Sequence, residues 1–256
     1  MSKRERVAVR TNSAVAAGLV CLVAVIEVIA VVAVQGNATT IDAWYFVPRL
    51  LLAALTLVLA RWLAPYSVAE NQPGLRRGLL LGVPAYAVMV LALIAGLTNA
   101  GPFKGWAALG VFTLSIVSVG VFEELLFRGV LLGTIRRTSW GRTGLRAALL
   151  SSAVFGAAHL VNLPREGLGP TIAQVVYAVL IGVFFAAVRI RSGSLLAVIV
   201  LHALLDWSFY LGSDVFARAS SGSGSGIVSS LISVLVGVLL AAWGVRLLRR
   251  QPPLGD

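Results

Sequence analysis

Residues 121–130 read Val-Phe-Glu-Glu-Leu-Leu-Phe-Arg-Gly-Val, setting Glu123, Glu124 and Arg128 inside an apolar run with no other charge from Ala107 to Leu132. An ionised side chain at membrane depth costs at least about 2.5–3.5 kcal/mol even on lenient insertion scales, so it faces a bundle interior or a water-filled cavity. The stretch is therefore both a candidate membrane span and a candidate functional site. On a helix Glu124 and Arg128 are one turn apart, with the acid on the N-terminal side, and neutralise each other. Glu123 is turned by about 100° from Glu124 and meets no local base, which leaves its carboxylate free for chemistry. The plainer alternative is a buried structural network of two acids and a base.

The rest of the chain agrees with a membrane reading. Of 256 residues, 59% are apolar and 12% charged, far from the roughly 25% charged content of soluble domains. Mean hydropathy is +0.93. The expected fold is all-α, a polytopic transmembrane helix bundle of about eight spans in one unit. The apolar runs are Ala14–Val34, Val47–Leu63, Leu79–Leu97, Ala107–Ile135, Leu145–Val161, Thr171–Val188, Ser194–Leu211 and Ile227–Leu248. The first is too long for a signal-peptide core and reads as an uncleaved span; its Glu27 reads as a polar packing contact. Ala107–Ile135 exceeds the hydrocarbon thickness of roughly 30 Å, so it must tilt, break or run into the cytoplasm. Turn-type clusters separate several runs: Gly36-Asn37, Pro73-Gly74, Asn99 through Pro102, and Asn162 through Pro170. Ser220–Gly226 alternates serine and glycine as a solvated linker.

The net charge of +11 raises nucleic acid as a partner, but no basic strip interleaved with aromatics accompanies it. Membrane topology explains it better. With the N-terminus inside, sixteen Lys and Arg fall on cytoplasmic flanks and four, Arg49, Lys104, Arg165 and Arg218, on the opposite ones. Cytoplasmic loops carry such an excess, so both termini are expected in the cytoplasm of a multi-pass plasma-membrane protein. The lone cysteine, Cys21, reads as a core thiol and forms no intramolecular disulfide.

The two histidines both fall inside apolar runs. His159 ends Phe155-Gly-Ala-Ala-His159, with an aromatic ring one turn before the imidazole; His202 begins His202-Ala-Leu-Leu-Asp206, with a carboxylate one turn after it. A membrane histidine is often only a packing residue. Here two of them, a free glutamate and an aspartate occur in a small bundle with little else ionisable, and one shared polar cavity accounts for all four.

These motifs resemble those of the CPBP family, the intramembrane CAAX proteases and bacteriocin-processing enzymes also called the Abi family. Glu123-Glu124-x-x-x-Arg128 is similar to its first motif, Phe155-x-x-x-His159 to its second and His202-x-x-x-Asp206 to its third, in that order and spacing. The resemblance covers about residues 105–211. It divides the chain into N-terminal helices over 1–104, a catalytic core over 105–211, and a linker with the last helix over 212–256. It implies an intramembrane endopeptidase acting on a membrane-bound or lipidated protein or peptide, prenylated at a CAAX terminus in the eukaryotic branch.

On that reading Glu123 is a general base for a water held with His159, His202 stabilises the oxyanion, and Asp206 orients His202. Glu124, Arg128 and Phe155 support the site. Glu123, His159 and His202 with a water would also make a catalytic zinc set, although the compact His-Glu-x-x-His pattern is missing and a metal-free mechanism is favoured. Two non-enzymatic readings use the same residues: a proton relay in a small transporter, and an immunity or scaffold protein of the same fold.

Overall fold

The computed structural model describes residue 18 and residues 46–63, 72–98, 100–218 and 226–249. In chain order these form α1 (Phe46–Leu63), α2 (Gln72–Leu81), α3 (Val83–Thr98), strand β1 (Ala100–Phe103) and α4 (Trp106–Glu124). Next, α4 runs on through a π-helical turn at Leu125–Leu131 into the short α5 (Leu132–Ile135). A 3₁₀ turn at Ser139–Gly141 leads to α6 (Gly144–Ala158), and a second at His159–Asn162 leads to α7 (Leu163–Glu166). Then come α8 (Leu168–Ser192), α9 (Leu195–Asp214), strand β2 (Phe216–Arg218) and α10 (Gly226–Arg249).

Among the described residues the fold is all-α apart from one two-stranded ladder. Among the described residues five helices are long and apolar enough to cross a membrane: Trp106–Ile135, Gly144–Glu166, Leu168–Ser192, Leu195–Asp214 and Val228–Arg249. A sixth span results if Gly74–Leu81 and Val83–Thr98, bent by 58°, are taken as one. Apart from Gly18, the expected Ala14–Val34 span, with Cys21 and Glu27, lies outside the described residues, as does the Ser220–Gly226 linker except Gly226, and Phe46–Leu63 is not among the five. The described residues thus give a multi-pass bundle of five to six candidate spans.

Three local expectations change. Pro73-Gly74 is not a turn but part of the first turn of α2, where proline's missing N–H costs nothing. Asn162–Pro170 is mostly helical, broken only at Gly167, whose φ of +77° suits glycine. Residues 100–103 form β1, antiparallel to β2, with Ala100 opposite Arg218 and Phe103 opposite Phe216. Lys104 fastens that end further: its N–H donates to the Val215 carbonyl and its Nζ to the Asp214 carbonyl, at 3.0 and 2.9 Å.

Burial is inverted relative to a soluble protein. Leu, Ile and Val side chains stand exposed on helix after helix, including Leu51, Leu91, Leu168, Leu231 and Leu239, while Glu124, Arg128, Ser118, Ser151, Ser152 and His202 are buried. A lipid solvent favours that pattern, because an apolar side chain gains nothing by leaving lipid for the protein interior. The centre of the bundle is α8. Its run Val183–Val188 is buried on every face, and it packs against α10, α6, α2 and α9.

Close helix approach depends on small residues. A Cβ at Gly156 would lie 2.3 Å from Val179, one at Gly182 2.9 Å from Ser152, and one at Gly120 3.3 Å from Ala203. The last contact sets α4 directly against α9, one turn from Glu123 and Glu124 on one side and next to His202 on the other. A tight corner joins α8 to α9: Gly193 adopts φ +76° and donates to the Arg189 carbonyl, and Ser194 caps α9 by accepting from the Ala197 N–H at 3.1 Å.

Candidate active site

The polar centre is built where α4 meets α9. Glu124 and Arg128 form the one-turn pair expected from their spacing, Nη1 to Oε1 at 2.9 Å, with both side chains fully buried. That Glu124 oxygen also takes His202 Nδ1 at 2.7 Å. A carboxylate only accepts, so Nδ1 is the donor and Glu124 Oε1 receives two N–H groups. His202 Nε2 then faces outward between two more carboxylates, Asp206 Oδ2 at 3.3 Å and Glu123 Oε2 at 3.8 Å. The nitrogen can bond to either only through a proton lying between them.

Aromatic rings frame this cluster. Phe185 of α8 stacks on the His202 ring at 5.1 Å between centroids with 19° between planes. Phe155 of α6 stands edge-on to His202 at 6.3 Å and to His159 at 4.9 Å. The guanidinium carbon of Arg128 lies 4.1 Å from the Phe155 centroid and 5.5 Å from that of Phe185. A desolvated cation over an aromatic face gains about 2 kcal/mol or more, so Phe155 ties Arg128, His159 and His202 into one assembly. Gly182 leaves room for this, since a Cβ there would press on Arg128 Nη2 at 3.1 Å.

The π-helical turn follows directly after Glu124. Its i→i+5 pattern is rare and collects at functional sites. Here it holds Phe127 and Arg128 in the core, and the Ser151 hydroxyl of α6 donates to the Phe127 carbonyl at 3.1 Å. The turn is thereby stitched to the helix that carries Phe155.

His159 sits differently. It is half-buried at the start of a 3₁₀ turn, and its Nδ1 bonds to the Phe155 carbonyl at 2.9 Å. A carbonyl only accepts, so Nδ1 carries the hydrogen and the neutral ring keeps its lone pair on Nε2.

The structure therefore gathers Glu123, Glu124, Arg128, Phe155, His202 and Asp206, and it brings His159 alongside through the Phe155 ring. Sequence spacing missed two members. The Glu124–His202 bond joins residues 78 positions apart, and Phe185 lies on a helix that carries none of the motif residues. Its sequence signal is the aromatic pair Phe184-Phe185 inside an apolar run. Among the described residues no three His, Cys, Asp or Glu side chains converge as a metal-binding group. Glu123, His159 and His202, the zinc set considered from the sequence, do not form such a group.

Residues 105–208 match the family described as type II CAAX prenyl endopeptidase, Rce1-like. An uncharacterised 24.3 kDa protein of Escherichia coli is 32% identical over 164 residues, covering 59% of this chain and 70% of that protein. No solved structure matches the chain. All three motifs, from Glu123 to Asp206, fall within the matched residues, and through that domain the chain belongs to the Rce1-like type II CAAX prenyl endopeptidase (CPBP/Abi) family.

Proposed function

We propose that the protein is an intramembrane endopeptidase that hydrolyses a peptide bond in a membrane-associated or lipidated protein or peptide. The observation that carries this reading is the disposition of carboxylates around one imidazole: Glu124 fixes Nδ1 of His202, while Glu123 and Asp206 flank Nε2. Only the outer pair is within reach of a substrate. Glu123 and Asp206 keep 16% and 23% of their side-chain surface, whereas Glu124 keeps none.

In the proposed reaction a water donates one hydrogen to His159 Nε2 and the other to Glu123, which directs an oxygen lone pair at the substrate carbonyl. Glu123 takes the proton as the C–O bond forms, a step worth roughly 10²–10⁴-fold in rate for a placed base. His202 Nε2–H, oriented by Asp206 and held from behind by Glu124, stabilises the oxyanion. The C–N bond then breaks, and Glu123 returns its proton to the leaving amine.

The same reading keeps eight spans, three before the catalytic core and one after it, in a plasma-membrane protein with both termini in the cytoplasm. The uneven distribution of basic residues supports that orientation. Reporter fusions after Ser220 should face outward and fusions after Arg250 inward; the opposite pattern would refute it. The activity itself is tested by comparing the membrane proteome with and without the protein. An uncleaved precursor should accumulate in its absence and persist when Glu123→Gln is supplied, and restored processing by that variant would remove the proposed base.

A further inference from the structure

We propose that Asn162 and Gln174 form a clamp for the peptide backbone of the substrate, beside the bond to be cut. Asn162 Nδ2 donates to Gln174 Oε1 at 2.8 Å, joining the 3₁₀ turn at His159–Asn162 to the second turn of α8. Both side chains are half-buried. A primary amide carries two donor hydrogens and one acceptor oxygen, so this single bond leaves Asn162 Oδ1 as an acceptor and Gln174 Nε2 as a donor. One acceptor beside one donor is the complement of a single residue in an extended chain, whose own N–H and C=O point to the same side. The match survives exchange of the two amide orientations, because turning both reverses the roles and still leaves one of each.

Position gives the clamp its place in the reaction. In a 3₁₀ turn side chains three apart eclipse one another, so Asn162 stands directly over His159, roughly 6 Å along the turn. An extended peptide advances about 3.3 Å per residue, so the clamped peptide unit lies about two residues from a scissile carbonyl at His159. Gln174 lies one turn from Tyr177, which meets Phe209 edge-on at 6.4 Å, and Phe209 follows Asp206 by three residues on α9. A line of neighbours thus runs from Gln174 through Tyr177 and Phe209 to the helix that carries Asp206. Polar groups at membrane depth are costly to leave without partners, and an extended segment drawn into the bundle needs its own amides satisfied. Both needs are met by one contact.

The proposal rests on the peptidase reading for its substrate class, and its test separates the two. The probe is an acetylated hexapeptide ending in farnesyl-Cys-Val-Ile-Met, together with analogues in which single backbone N–H groups are replaced by an ester oxygen. Binding is measured to the full chain carrying Glu123→Gln in detergent. A single ester of the series should weaken binding roughly three- to tenfold, the loss of one hydrogen bond. Adding Asn162→Leu and Gln174→Met removes both partners at similar volume, so the fold should hold and the ester penalty should disappear. Gln174→Glu is the sharper variant: it still accepts from Asn162 but sets an acceptor where the clamp needs a donor. It should weaken the all-amide probe without lowering the unfolding midpoint, a change that a purely structural tie would not produce. A penalty that persists in the double variant, no penalised ester, unchanged binding to Gln174→Glu, or a probe that does not bind would each overturn the clamp. Hydrolysis of the probe by the unmodified protein without a pair-dependent penalty keeps the peptidase and removes the clamp; the penalty without hydrolysis does the reverse.

Discussion

His202 and His159 flank the same phenylalanine ring, and the protein holds them in opposite ways. His202 is buried, bonded to Glu124, stacked on Phe185 and faced by two more carboxylates. His159 is half-buried, and its Nδ1 bonds back to the Phe155 carbonyl one turn before it. An oxyanion stabiliser must be fixed before charge develops, because reorganisation during the reaction forfeits its benefit. A group that receives water must stay open to it. The difference in anchoring thus mirrors the difference in proposed duty, and it separates what each residue should contribute to folding from what it should contribute to rate.

The largest effect should come from the carboxylate that both sides share. Glu123→Gln should slow cleavage by roughly 10²–10⁴-fold with no loss of insertion or folding. Combining it with His159→Ala should cost little further rate if the residues act as a unit. Single-turnover measurements with an identified substrate decide this, and full multiplicativity would break the shared-water scheme.

The second effect sharpens the contrast in anchoring. Glu124→Gln and Arg128→Ala should each lower stability by about 3–5 kcal/mol, since each strands a buried charge, and the double variant should lose less than the two losses added. His159→Ala should stop cleavage while leaving the unfolding midpoint in place. A destabilised His159→Ala protein would erase the distinction between the two sides.

The smallest effect falls on the outer carboxylate. Asp206→Asn exchanges a charge-assisted contact to His202 for a neutral one, about half as strong, so the rate should fall by less than about tenfold. A loss as deep as that of Glu123→Gln would make Asp206 a proton carrier rather than an orienting group.

Local spacing reveals much of this arrangement. The pairs Glu124–Arg128, Phe155–His159 and His202–Asp206 all lie one turn apart, and helical periodicity predicts each contact that the structure contains. Contacts between helices are another matter. Nothing in spacing joins Glu124 to His202, and the glycines that allow it read only as small residues until Gly120 is seen against Ala203. The chain's turn signals also mislead in lipid. Pro73-Gly74 sits within a helix start, and the bend falls instead at Gly82, just before Pro84 in the first turn of α3, where Trp243 Nε1 donates to the Leu81 carbonyl at 3.0 Å. Hydropathy measures length in lipid, not straightness.

The small ladder between β1 and β2 has a consequence for how the chain is divided. Ala100 and Arg218 are paired across it, and paired residues in antiparallel strands lie about 5 Å apart. The segment that holds every motif residue therefore leaves from and returns to nearly one point, like a circuit closed by a clasp. Helices before Ala100 and after Arg218 pack onto this circuit, α3 against α9 and α10 against α8, and share its core. The matched residues, 105–208, fall entirely inside the clasp.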